Sequence, residues 1–281
     1  MLASDADELI AQRAAGALLS QPPAAILAAL GRPDAAQQVF RYCAKHLADK
    51  PGVADALARN PHCPAEVLAP LARYFTAPAV QALMEDLDRL SNAPALAAAL
   101  AASLSLTAEQ RHELQELQQE SSDPAAIKEA VSAAEPDRAK RQTLLERLAR
   151  MRVVERVQLA LKGNREDRMA LIRDPCKVVQ RAVLQSSRIT DREVEAYSAM
   201  ANLSEEVLRL IATNRNFRKN YTVVRNLLNN PKAPLEISLH LLPNLTAQDL
   251  KLLTLNRNIP DTLRTMAIRL RRKRSEMRQG S

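Results

Sequence analysis

Apolar residues recur at spacings of three and four along most of the chain, the period of one face of an α-helix, in runs that are short and often restarted. Leu144, Leu148, Met151, Val154, Val157 and Leu161 make the longest stripe and predict one basic helix from Arg138 to Leu161. Most helix starts have a physical reason. Thr107-Ala-Glu-Gln110 and Thr190-Asp-Arg-Glu193 match the capping box, in which a hydroxyl and the amide or acid three residues on satisfy orphan amides reciprocally. Ser204 and Thr246 precede acidic first turns as hydroxyl caps. Pro64, Pro234 and Pro260 stand at helix starts with an acid close behind, where the positive end of the helix dipole favours it.

The connectors resemble one another. Asp174, Asn214 and Asn256 each follow an apolar helix end and precede Pro or Arg, and they lie 40 and 42 residues apart with an intermediate turn between them. This spacing predicts a repeat of two helices in about forty residues. The expected fold is all-α, an α-solenoid of stacked short helix pairs in two arrays joined by a polar linker. The expected boundaries are an Ala/Leu-rich helical-repeat domain over 1–117, a linker over 118–141 that holds Ser121-Ser-Asp-Pro124 and Glu135-Pro-Asp137, a basic HEAT-like array over 142–274 and a disordered tail over 275–281.

Two segments share one pattern: Leu57-Ala-Arg-Asn60-Pro61-His-Cys-Pro64-Ala-Glu66-Val67 and Leu228-Asn-Asn230-Pro231-Lys-Ala-Pro234-Leu-Glu236-Ile237. Each reads as leucine, spacers, Asn-Pro, two spacers, Pro, one spacer, Glu and an aliphatic residue. This resembles the variant leucine-rich repeat and is similar to HEAT-type repeats, bacterial families built from stacked short helices. The likeness covers 57–74 in one copy and, more loosely, most of 160–270. It implies a solenoid with an extended binding surface and no fixed ligand, because such families bind many unrelated partners. The iron–sulfur module that accompanies the founding variant repeats needs clustered cysteines, which Cys43, Cys63 and Cys176 do not supply; no cofactor is expected.

Composition supports helices over sheets. Hydrophobic residues make up 47% of the 281, but aromatics only 2%, with no Trp, five Gly and sixteen Pro, so close packing through Ala and Leu is favoured. Three scattered cysteines form no disulfide framework and suit a reducing compartment. Met1 to Ile10 carries Asp5, Asp7 and Glu8 where a signal peptide needs positive charge, and the uncharged stretch Ala93–Ala108 contains Pro94 and falls short of the ~20 apolar residues that span a bilayer. A cytoplasmic protein with no membrane association is the expectation.

Candidate chemistry is sparse. Cys43-x-x-His46 and His62-Cys63 hold zinc-ligating atoms, but without the paired loop-end spacing of a zinc site. His112-Glu113 lacks the second histidine of a metalloprotease helix, His240 reads as a partly buried packing residue, and no glycine precedes the Lys-Ser or Lys-Thr of a phosphate loop. No enzymatic activity is expected.

Charge carries the remaining signal. The net charge is +8, yet residues 1–150 hold 15 Lys and Arg against 19 Asp and Glu, while 151–281 hold 25 against 13. Arg165, Arg215 and Arg257 each follow an Asn in similar-looking turns, and a solenoid would align them in a row, enlarged by Arg168, Arg218 and Lys219. Such a row suits a polyanion. The expected role is a non-enzymatic scaffold or adaptor that binds an acidic protein through the basic array. The alternative is a binder of the duplex nucleic-acid backbone, since the scarcity of aromatics removes the stacking platforms that single strands require.

Overall fold

A computed structural model describes residues 21–103, 106–118, 144 and 146–279. Among these the only regular structure is helix, so the fold is all-α. The chain divides into two compact units, Met1–Gln119 and Glu120–Ser281. Apart from Gln118, the segment 118–141 assigned to a linker lies outside the described residues.

Unit 1 contains α1 (Pro23–Leu30), α2 (Gln37–His46), α3 (Val53–Arg59), α4 (Ala65–Leu68), α5 (Ala77–Glu85), α6 (Leu87–Asn92), α7 (Pro94–Ala101) and α8 (Ala108–Gln118). The end of α4 tightens into a 3-10 segment, Ala69–Tyr74, where Pro70 has no N–H to donate. Gly52 enters α3 at φ 81°, in the left-handed region that costs glycine little. Helix α1 packs on α3 and α3 on α5, while α2 packs on α4 and both α4 and its 3-10 extension pack on α7.

Unit 2 contains α9 (Val153–Lys162), α10 (Arg165–Leu171), α11 (Lys177–Gln185), α12 (Asp191–Ala199), α13 (Glu205–Thr213), α14 (Tyr221–Asn229), α15 (Leu235–Leu241), α16 (Ala247–Leu255) and α17 (Asp261–Gln279). Alternate helices pack together: α9 on α11, α11 on α13, α13 on α15 and α15 on α17 form an odd-numbered row, and α12 on α14 and α14 on α16 an even-numbered one. Long-range hydrogen bonds fix their register. Ser186, after α11, donates to Leu161 O of α9 at 2.7 Å, and Asn230, after α14, donates to Ser198 O of α12 at 3.0 Å. Equivalent ends therefore meet, and alternate helices run parallel.

Three sequence expectations are corrected. The long helix Arg138–Leu161 is broken: the chain is helical over 146–150, leaves the helix at Met151 and Arg152, and restarts at Val153. Both sides of the break are satisfied, since Glu155 Oε2 accepts the Arg152 N–H at 2.8 Å and Arg156 Nη1 donates to Met151 O at 3.1 Å. The repeat is shorter than forty residues, because Val153, Lys177, Glu205, Leu235 and Asp261 open the odd-row helices 24 to 30 residues apart. The steps from Asp174 to Asn214 to Asn256 each span three helices, because the same polar cap ends helices of both rows. Finally, α17 continues to Gln279, through most of the stretch assigned to a tail.

The two segments that share the Asn-Pro pattern are copies of one module. Shifting unit 1 by 170 residues superimposes α3, α4 and α5 on α14, α15 and α16, and Val53/Val223, Leu57/Leu227, Asn60/Asn230, Leu71/Leu241, Val80/Leu250 and Leu83/Leu253 are buried in both copies. The asparagine makes the same kind of bonds each time, its amide bridging two carbonyls at the end of an earlier helix. Asn60 Nδ2 donates to Leu30 O and Arg32 O, and Asn230 Nδ2 to Ser198 O and Met200 O.

Candidate functional site

The polar interior of unit 2 is organised by two arginines. Arg156 and Asp174, both fully buried, pair at 2.9 Å between Nε and Oδ2. Arg168 grips Glu193 with two parallel bonds, Nε to Oε1 at 2.9 Å and Nη2 to Oε2 at 3.1 Å, and also donates to Gly163 O and Arg188 O. Glu193 accepts from the Thr190 N–H at 3.0 Å and closes the capping box of α12. Arg168 is thus corrected from a partner-binding residue to a buried strut; it is 4% exposed.

Glu193 is a buried, acid-sensitive group. Burial works against its ionisation, and the hydrogen bonds from Arg168 and Thr190 outweigh that, holding the carboxyl below its usual range. The fold therefore favours the carboxylate. Its contribution is complete above the unfolded value of about 4.3 and is lost as pH falls through the lower folded value. Hydrogen exchange across α9 to α12 is expected to accelerate below about pH 4, and Glu193→Gln to flatten that acid limb. An unchanged limb in the variant would assign it to other carboxylates.

The remaining cations sort by edge. Because neighbouring helices alternate between rows and helices within a row are parallel, odd-to-even turns share one edge of unit 2 and even-to-odd turns the other. Arg165 follows α9, Arg188 follows α11, and Arg215, Arg218 and Lys219 follow α13, so these five share the odd-to-even edge; all are exposed. None of them takes part in a salt bridge among the described residues. Arg257 follows α16 and stands on the opposite edge, which breaks the predicted row. The shared Asn-Arg dipeptide misleads, because Asn164 caps the start of α10 whereas Asn214 and Asn256 close the ends of α13 and α16. Arg188, missed in the sequence reading, joins this edge, with its side chain bonded to Lys162 O at 2.6 Å. Two exposed acids, Glu166 and Asp191, interrupt the cations.

The other candidates disperse. Cys43 points inward from α2 while His46 is exposed and stacks on Tyr42 with ring centroids 4.7 Å apart, so the two do not converge. Cys63 is buried, and its thiol is pushed up to about 11 chiefly by that burial, only partly offset by Arg89, so it offers no ready thiolate. No cluster of three metal-ligating side chains occurs among the described residues. His240 is exposed, not partly buried. Ser204 and Thr246 serve as helix caps, accepting the N–H groups of Val207 and Asp249 at 3.3 and 3.2 Å. No helix among the described residues is long and apolar enough to cross a membrane. Comparison with protein-family models, with curated proteins and with solved structures gives no match.

Proposed function

We propose that this chain is a non-enzymatic helical-repeat scaffold of the solenoid type, whose unit 2 binds an acidic segment of another protein along its odd-to-even edge. The supporting observation is the set Arg165, Arg188, Arg215, Arg218 and Lys219, which recurs turn after turn on one edge while Arg168 is spent inside the fold. Parallel packing of alternate helices 24 to 30 residues apart supports the solenoid reading, because each repeat then contacts only its neighbours and successive turns line up. Glu166 and Asp191 among the cations favour a protein of mixed charge over the uniform phosphates of a duplex. The buried Cys43, Cys63 and Cys176, none of which forms a disulfide, suit a reducing cytoplasm.

The test is a titration of the full chain with a labelled oligo-glutamate peptide and, separately, with duplex DNA of similar charge. The peptide is expected to bind and to lose affinity by about tenfold or more in the Arg215→Glu, Arg218→Glu, Lys219→Glu variant, with a much smaller loss in Lys232→Glu, Arg257→Glu on the other edge. Equal losses in the two variants would remove the edge assignment. Tighter binding of the duplex, falling steeply with salt, would give the surface to nucleic acid.

A further inference from the structure

The odd-to-even edge does not stop at the turn after α13. The next turn along it, Pro243-Asn-Leu-Thr246 after α15, has no cation of its own. Helix α17 supplies one. At 19 residues it outruns α15, which has 7, and Arg274 in its last third reaches the turn, with Nη1 donating to Leu245 O at 2.8 Å and Nη2 to Pro243 O at 2.6 Å. Arg188 is anchored in the same way, on Lys162 O. Four consecutive turns of the edge therefore carry positive charge: Arg165 after α9, Arg188 after α11, Arg215, Arg218 and Lys219 after α13, and Arg274 beside the turn after α15.

The interval between these four stations is set by the helices. The odd-row helices pack side by side from α9 to α17, and packed helices stand about 8 to 10 Å apart. Cations at equivalent helix ends repeat at about that interval. In polyproline II, with three residues per turn and a rise of about 3.1 Å, every third side chain lies on one face, about 9 Å from the last. A β-strand turns side chains three apart to opposite faces. An α-helix returns to the same face only after seven residues and about 10.5 Å, too far for the interval. The acids on the edge select against a denser charge. Glu166 and Asp191 are exposed beside Arg165 and Arg188, and an unbroken run of carboxylates would set like charges against them, whereas one acid in three leaves uncharged residues to pass over them.

We propose that the edge binds an extended, polyproline-II segment of a partner protein with an acidic residue at every third position. Successive carboxylates meet Arg165, Arg188, the cluster of Arg215, Arg218 and Lys219, and Arg274, so that about ten residues cover the four stations. This assignment rests on the scaffold reading for the site and the class of partner, and adds the conformation, spacing and length of what binds there.

The test uses two fluorescein-labelled peptides of the same composition, four Glu, four Pro and four Ala, titrated with the full chain by fluorescence anisotropy. One has glutamate at every third position and the other at every second. The first is expected to bind about tenfold more tightly. The end stations give a second readout. Arg165→Gln or Arg274→Gln should weaken the four-acid peptide severalfold, yet weaken a shorter peptide with three acids at the same spacing by no more than about twofold, because three stations in register remain. The Arg215→Glu, Arg218→Glu, Lys219→Glu variant removes a middle station and should weaken both. Arg165 is exposed, so its variant tests the register independently of any loosening of α17 by Arg274→Gln, which circular dichroism melts would detect. Equal affinity for the two spacings, or end variants that weaken the three-acid peptide as much as the four-acid one, would overturn the proposal. The scaffold reading fails separately: it falls when neither these peptides nor oligo-glutamate bind, whereas oligo-glutamate binding without preference for spacing removes only the period of three.

Discussion

Replacing Arg168 by alanine is expected to destabilise unit 2 by about 3 to 5 kcal/mol, the cost of leaving one member of a buried ion pair behind. Glu193 has a fully buried side chain, and it would keep the Thr190 N–H but lose both guanidinium bonds. Gly163 O and Arg188 O would lose their donor as well, loosening the turns after α9 and α11 together. Folded domains have about 5 to 15 kcal/mol in total, so much of the margin would go. Urea unfolding of the full chain should show the transition of unit 2 moving down by more than about 1 M. Arg168→Lys should recover only part, because an ammonium cannot reproduce the two-pronged grip. Arg168→Met combined with Glu193→Leu should recover more, since it removes both charges from the interior. Arg165→Ala, three residues earlier and exposed, should change stability by less than about 0.5 kcal/mol. Equal losses at positions 165 and 168 would contradict the strut assignment.

That pair of arginines also marks where local sequence patterns stop being informative. Caps are local, and they were legible: Thr107 with Gln110 and Thr190 with Glu193 bond reciprocally, and Ser204 and Thr246 cap as their spacing implied. Glu193, however, does a second job that depends on Arg168, 25 residues away, and no local pattern encodes that distance. The chain break at Met151–Arg152 was invisible for a related reason: arginine is not a capping residue, and the bond that holds the break runs backwards from Glu155. The repeat length was misread because one device, a polar side chain that accepts the N–H two residues on, ends helices of both rows: Asp174 takes Cys176, Asn214 takes Asn216 and Asn256 takes Asn258. Leu250 to Leu255 read as an ordinary apolar helix end, yet Leu250 and Leu253 face the interior while Leu252 and Leu255 do not. Which side of that helix is covered depends on which helices stand beside it, and that is set by packing between residues far apart in the chain.

The shared device leads to the second large effect, at Asn60 and Asn230. Each amide makes three bonds from a buried position: Asn230 donates to Ser198 O at 3.0 Å and Met200 O at 2.9 Å and accepts the Lys232 N–H at 3.0 Å, while Asn60 does the same with Leu30 O, Arg32 O and the His62 N–H. Alanine at either position would strand two carbonyls and one N–H at a helix junction, and a loss of about 2 to 4 kcal/mol is expected in the unit concerned. Aspartate is the sharper test. It has the same shape and still accepts the N–H, but at neutral pH it turns a carboxylate oxygen toward two carbonyls, so Asn230→Asp should be at least as damaging as Asn230→Ala. The fold then favours the protonated acid, whose pKa rises above the unfolded value of about 3.9. Relative to Asn230→Ala, the aspartate variant should therefore recover as pH falls and lose ground as pH rises through the unfolded value, the reverse of the acid dependence expected from Glu193. Asp174 shows what makes an acid tolerable at such a turn, because its second oxygen meets the guanidinium of Arg156 and not a carbonyl. No described residue gives Asn230 such a cation, and an Asn230→Asp chain as stable at pH 7 as the natural one would show that the amide does not hold the two carbonyls.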